Sequence, residues 1–333
     1  MLFIDNEGIT DPRINLAIEE YALRHLPAGE SYLLFYINEP SIIIGKNQNT
    51  LEEINPEYVK ANNLHVVRRL SGGGAVYHDL GNLNFSFITQ DDGNSFHNFQ
   101  KFTAPVVAAL HELGIAAELT GRNDIQVGER KISGNAQFAT KGRMFSHGTL
   151  LFDSEMENVV SALRVDPDKI QSKGIKSIRS RVANIVEFLK EPLTMEQFRF
   201  KLLQSIFGVE TEQVPTYQLT EEDWSRIHQI SEERYQNWDW NYGKSPKSTV
   251  QQAKRIEGVG RIDIRLSVEE GHLQLVKIYG DFFGAHDVAE LEEILQGTRY
   301  EESALRERLS GVELKRFFGA LDHETFISLL LLA

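Results

Sequence analysis

The sequence predicts an α+β fold, with a mixed or antiparallel sheet flanked by helices, and three observations carry that prediction. Short β-rich runs bounded by Gly, Asn or Asp recur through the first half of the chain, at YLLFYI, HVVRRL, AVYH, LNFSFIT and around Ile125, Ile132 and Leu150. Helical periodicity is confined to a few longer stretches, which suits helices packed on one side of a mainly antiparallel sheet rather than a doubly wound one. A second hairpin followed by helices closes the chain, so a small second α+β unit is expected.

Taken in order, Thr10, Asp11 and Pro12 offer a cap and a first-turn proline, and Ile14, Ile18, Tyr21 and Leu26 then recur at helical spacing. YLLFYI and SIIIG, separated by a turn at Asn38, Glu39 and Pro40, read as paired strands. Residues 99–113 read as a helix in spite of Pro105. Helices are expected at 194–207, where Thr194 and Gln197 have capping-box spacing, and at 221–236. NWDWNYGKSPKST reads as a linker with a domain boundary near Pro246, and RIDIRLSV and LQLVKIY form a hairpin before two or three amphipathic helices.

At 333 residues the chain is long enough for one large domain with an appendage, or for two domains. Its 25% charged and 41% hydrophobic residues are ordinary for a soluble, folded protein. A formal charge of -13 opposes broad binding to nucleic acid or to an anionic membrane, so an anionic substrate needs a local basic cluster. Cysteine is absent, which excludes disulfides, thiolate metal sites and a cysteine nucleophile. MLFIDNEGIT lacks the pattern of an export signal, and no run approaches the roughly 20 apolar residues that span a bilayer. A cytoplasmic location is expected.

RRLSGGGAVYHDLGNLNFSF places three glycines directly after a basic strand end and before another strand. Glycine lets backbone N–H groups approach a phosphate or carboxylate, and Arg68 and Arg69 supply positive charge. The plainer alternative is a glycine-rich hairpin turn with surface arginines. A Walker A or Rossmann loop would open a helix, and this loop does not.

The same residues resemble a known family. RRLSGGGAVYHDLGN is similar to the signature loop of the lipoate-protein ligases, specifically the lipoate-protein ligase A family. Asp11 and the helix after it, IIIGKNQN, GRNDI, RKISGNAQ, HGTLLFD and KGIKSIRSRVANI follow in the family's order. NWDWNYGKSP and the hairpin beyond resemble members that carry a C-terminal accessory domain.

The resemblance implies a biotin/lipoate-protein ligase-like catalytic domain over residues 1–246 and an accessory domain over 247–333. It implies an ATP-dependent ligase that adenylates lipoate, releases pyrophosphate and passes the lipoyl group to an acceptor lysine. Lys131 then matches the catalytic lysine, although any lysine beside a Gly-Glu turn could be merely solvated. ATP contacts fall on Arg69, on the backbone of Gly74, Ala75, Val76 and Tyr77, on Lys131, and on Ser177, Arg179 and Arg181 of a loop able to close over the adenylate. Lipoate contacts fall on Leu16, Tyr36, Arg68, Ser71, Gly72, Gly73, Val76, His78, Lys131 and His147. Arg68 could equally be a structural ion-pair partner, and Leu16 and Val76 ordinary core.

Asp124 is the candidate for Mg²⁺, which takes one or two carboxylates beside phosphate oxygens, and a turn or capping role is its alternative. His78 and His147 have no ligand set at metal spacing and are read as hydrogen-bonding pocket residues. ATP with Mg²⁺ and lipoate are implied as substrates, without a tightly bound prosthetic group. Apo lipoyl domains of 2-oxoacid dehydrogenase acyltransferase subunits, or a glycine-cleavage carrier protein, are the implied acceptors, and a monomer is expected. The cysteine-dependent acyltransferases of the same superfamily are excluded chemically. A biotin-protein ligase and a non-catalytic lipoate-binding protein are the alternatives.

Overall fold

YLLFYI is apolar or aromatic at every position, a pattern for a strand covered on both faces. The computed structural model, which describes residues 1–163, 181–242, 250–269 and 271–331, buries it that way. In chain order the strands of the first part are β1 (Leu2–Ile4), β2 (Tyr32–Ile37), β3 (Ser41–Ile44), β4 (His65–Arg68), β5 (Val76–His78), β6 (Asn82–Gln90), β7 (Ala117–Thr120), β8 (Asp124–Val127), β9 (Arg130–Thr140), β10 (Arg143–Leu151) and β11 (Thr216–Tyr217). Its helices are α1 (Pro12–Arg24), α2 (Thr50–Glu53), α3 (Pro56–Ala61), α4 (Phe99–Glu112), α5 (Met156–Ala162), α6 (Met195–Phe207), α7 (Glu221–Ile230) and α8 (Trp238–Asn241).

Eight strands form one mixed sheet in the order β11-β1-β2-β6-β10-β9-β8-β7, parallel at β11-β1-β2 and antiparallel elsewhere. Alternate residues of β2 enter different cores. Leu33 and Phe35 pack with Phe102 and Val106 of α4 and Phe198 and Leu202 of α6, whereas Leu34 and Tyr36 pack with Leu16 and Ile18 of α1 and Ile227 and Ile230 of α7. Helices therefore lie on both faces rather than one, which corrects the expectation and explains why β2 carries no polar alternation.

β2 and β3 do not pair with each other. The chain crosses at Pro40 into a separate three-stranded sheet, β4-β3-β5, where β3 runs parallel to β4 and antiparallel to β5. This small sheet presents the glycine loop, residues 69–75, between β4 and β5.

Local signals hold where they are purely local. Asp11 caps α1 through the Arg13 amide, with Pro12 in the first turn, and Thr194 and Gln197 close a reciprocal capping box on α6. α4 runs through Pro105. The helix expected at 221–236 is α7 followed by a π-helical turn at Ser231–Tyr235. The expected linker instead begins as packed structure, because α8 is held against β4.

The last part of the chain has its own core. Strands β12 (Val250–Ile256), β13 (Gly260–Glu269) and β14 (His272–Gly280) form an antiparallel sheet, so a third strand joins the expected hairpin. Helices α9 (Val288–Leu295), α10 (Glu302–Leu309), α11 (Lys315–Phe318) and α12 (His323–Leu331) cover it, and its apolar cluster draws only on residues from Val250 onward. Among the described residues, no helix is long and apolar enough to cross a membrane.

Candidate functional site

The glycine loop, the start of β8, the first half of β9 and the inner face of α1 converge on a cavity of about 550 Å³. Its wall includes Leu16, Tyr36, Arg69, Gly73, Gly74, Ala75, Val76, His78, Asp124, Lys131, His147 and Arg181. Most of the residues singled out from the sequence are thus brought together, although they are spread over about half the chain. Ser177 and Arg179 lie outside the described residues.

Lys131 sits on β9 where Ile132 forms a bulge against β8, a feature that re-aims side chains. Its ammonium lies 2.8 Å from the Asp124 carboxylate, with both side chains about one-third exposed to the cavity. Its backbone is committed elsewhere: the amide donates to the Arg181 carbonyl at 2.7 Å and the carbonyl accepts from Ala183 at 2.9 Å. The chain re-entering at Arg181 is therefore stitched directly onto the lysine's strand.

Arg69 is buried beneath the glycine loop. It donates to the Ile43, Gly72 and Gly74 carbonyls and to Ser71 Oγ, at 2.7 to 3.0 Å. Burial lowers its pKa to about 10, so it keeps its charge near neutrality. The cation thus shapes the loop that presents the Gly74 and Ala75 backbone to the cavity.

Behind that wall runs a polar string that the sequence reading missed in part. Ser71 Oγ lies 2.7 Å from His147 Nε2, and His147 Nδ1 lies 2.8 Å from the buried Glu19 carboxylate. The carboxylate can only accept, so His147 Nδ1 carries a proton. Glu19 stands three residues after Leu16 on the apolar face of α1, and a carboxylate amid Leu16, Ala17 and Ile18 was the available signal. Burial holds the Tyr36 phenol well above its ordinary pKa, so it remains protonated.

Four expected contacts are not brought to the cavity wall, and one of them, Ser71, stands behind it in that string. Tyr77 packs into the small-sheet core with Ile42 and Ile44. Gly72 is covered by the Phe282 carbonyl. Arg68 points the other way: Nε donates to the Trp240 carbonyl, Nη1 to those of Gly45, Lys46 and Gln48, and Nη2 to Thr50 Oγ1. It is a structural clamp, not through the ion pair considered above but through backbone carbonyls. The extended backbone of β4 runs on into Arg69, whose amide donates to the Ile44 carbonyl, so these two successive side chains face opposite ways.

The C-terminal unit supplies the remaining wall with Arg255, Asp281 and Phe283, none of them legible in advance. Arg122 donates to the Val259 carbonyl at 2.6 Å and lies over the Phe283 ring at 4.3 Å, while Lys46 pairs with Asp287 at 3.0 Å. Gly73 adopts φ +91°, and a Cβ there would sit 2.8 Å from the Phe283 ring. A Cβ on Gly72 would run into the Phe282 carbonyl. Gly72→Ala should therefore weaken docking by about 1–3 kcal/mol, the usual cost of overpacking. Small-angle scattering should then show a larger radius of gyration than wild type, and an unchanged radius would contradict this packing.

Comparison with known proteins gives matches over nearly the whole chain. Residues 11–207 match the family model described as Lipoyl protein ligase A/B catalytic domain, and residues 245–330 match Bacterial lipoate protein ligase C-terminus. The chain is 65% identical to lipoate-protein ligase LplJ of Bacillus subtilis (strain 168), over 99% of this chain and 100% of that one. A crystal structure of lipoate-protein ligase A bound with ATP superposes with a TM-score of 0.62 at 29% identity, covering 73% of this chain and 97% of that one. A bi-partite lipoate protein ligase of Thermoplasma acidophilum, described with its E2 lipoyl domain, gives 0.65 at 31% identity, covering 75% and 98%.

Proposed function

The chain belongs to the lipoate-protein ligase family, and from that premise we propose how its cavity works. Lipoate's carboxylate attacks the α-phosphorus of ATP and expels pyrophosphate. An acceptor lysine then attacks the carbonyl of the mixed anhydride, losing a proton and expelling AMP. Neither step needs an enzyme nucleophile, which accords with a chain that has no cysteine. Positioning and stabilisation of charge on oxygen are the protein's share.

The observation that carries the reading is the Lys131–Asp124 pair facing a walled cavity that also holds the glycine loop. An ammonium shared with a carboxylate can turn toward substrate oxygens when these arrive, because a partly exposed pair is held by no more than about 1 kcal/mol. We assign Lys131 to the lipoyl carbonyl and phosphate oxygens, and the Gly74, Ala75 and Val76 backbone, braced by Arg69, to ATP. Leu16, Tyr36, Val76 and His147 form the slot for the lipoyl chain. The ligase with bound ATP supports the first substrate, and the family supports the second.

Mg²⁺ is assigned to Asp124. One carboxylate open to the cavity suits an ion that takes most of its remaining ligands from phosphate and water. The metal would neutralise phosphate charge there. The chain divides near residue 246, a proposal resting on the separate C-terminal core. The archaeal ligase and its E2 lipoyl domain support apo lipoyl domains of 2-oxoacid dehydrogenase complexes as acceptors, with a glycine-cleavage carrier protein as the other candidate.

The purified protein, given ATP, Mg²⁺ and lipoate, should release pyrophosphate and add one lipoyl mass to an apo lipoyl domain. Labelling in the absence of ATP, or with biotin replacing lipoate, would refute the reading. Lipoate binding without pyrophosphate release would mark a binding protein instead.

A further inference from the structure

His78 is buried on the cavity wall, and among the described residues its Nε2 has no hydrogen-bond partner. Its other nitrogen is held. Nδ1 lies 3.0 Å from Asn38 Nδ2, and Asn38 is fully buried.

The orientation of the Asn38 amide follows from its neighbours. Asn15 Nδ2 lies 3.0 and 3.2 Å from the carbonyls of Ile9 and Ile37, which only accept, so that atom is the nitrogen. It also faces Asn38 at 2.9 Å, which makes the facing Asn38 atom the oxygen and leaves the Asn38 nitrogen toward His78. Asn6 extends the string, donating to Asn15 Oδ1 at 2.9 Å. The imidazole must then accept at Nδ1 and carry its proton on Nε2. Burial above all, and then Arg69 and His147, the charged and titratable groups that face the ring, lower its pKa to about 3.

We propose that Asn38 is a positioning residue: through the Asn6–Asn15–Asn38 string it fixes His78, on the cavity wall, as a neutral Nε2–H donor that binds an acceptor oxygen of the acyl substrate. A buried donor without a partner is costly, and an arriving oxygen relieves that cost. The proposal rests on the cavity being the acyl-adenylate site.

Asn38→Asp tests it. The carboxylate keeps the acceptor for Asn15 but now requires an N–H from His78 Nδ1, so the neutral ring exposes a bare Nε2, as in an Asp–His pair. At about pH 8.5 the variant should lose the donor and show a KM for lipoate raised about tenfold or more, with the KM for ATP little changed. At about pH 6, where the paired imidazole takes up a proton and regains Nε2–H, the KM should recover toward wild type, which itself stays flat over this range. A variant with wild-type KM at both pH values, or one equally impaired at both, would overturn the proposal.

A measurement on the wild type covers a variant that does not fold. Long-range ¹⁵N–¹H spectra should show neutral His78 protonated on Nε2, with that resonance moving when lipoate saturates the site. A proton on Nδ1, or an Nε2–H unmoved by lipoate, would reject it. Failure of the ligase reading would appear separately, as absent pyrophosphate release with the tautomer intact.

Discussion

Replacing Lys131 by Ala is expected to slow lipoate-dependent pyrophosphate release by roughly 10²–10³, the usual consequence of removing a principal electrostatic stabiliser. The structure separates this side chain's chemistry from its strand's architecture. The Lys131 amide and carbonyl tie β9 to Arg181 and Ala183, and those bonds survive truncation at Cβ. The one described charge partner of its ammonium is Asp124, in a pair open enough to contribute no more than about 1 kcal/mol. The variant should melt within a few degrees of wild type while its turnover collapses. Single-turnover measurement of pyrophosphate, alongside a melting curve, checks both halves. Wild-type turnover would remove the role, and a large loss of stability would reassign the lysine to the framework.

Arg68→Ala should do the reverse. The guanidinium satisfies carbonyls from Gly45, Lys46, Gln48 and Trp240, joining the β3 turn to α8. The Arg68 backbone adds bonds to Asn241 Oδ1 and from Trp240 Nε1. Removing the side chain strands several buried acceptors, and since each bond to a charged donor is worth about 1.5–3 kcal/mol, a loss of at least about 3 kcal/mol is expected. If the 333 residues unfold as one unit, that lowers the melting temperature by roughly 4 °C or more. Arg68→Lys should rescue little, because an ammonium cannot reproduce the planar fork. At low temperature the folded variant should bind lipoate within about threefold of wild type, a change too small to represent a lost charged contact. Unchanged stability with abolished lipoate binding would return Arg68 to the ligand.

The two arginines show what could and could not be read in advance. RRLSGGG announces two cations beside a flexible loop, and the alternation of a strand says that only one of them can face the loop's ligand. Which one does so depends on Trp240 and Asn241, more than 170 residues away in sequence, and on a segment whose composition looks like a linker. Capping signals at Asp11 and Thr194 were legible because the groups that satisfy them lie within three residues.

Pairing between YLLFYI and SIIIG was misread because proximity in sequence favours a hairpin, whereas continuous apolarity in both runs signalled burial in two different sheets. Lys131 and Asp124 were legible as motif residues, and their meeting was not, since it depends on a bulge. Glu19 was accessible to a closer look at the apolar face of α1. Arg255, Asp281 and Phe283 carry no local mark at all; they belong to the site only because a second core docks against the first.

That docking places one short stretch of backbone under two obligations. Gly73 faces the proposed nucleotide site and also receives Phe283, with its amide directed to the Phe282 carbonyl. Any ligand held by this loop and the C-terminal unit resting on it are thermodynamically coupled, and coupling is reciprocal: whatever factor docking contributes to ATP affinity, ATP must contribute to docking. A lipoate ligase built this way needs no separate sensor to register that its first half-reaction is complete, because the loop we propose for the nucleotide is also the seat of the domain.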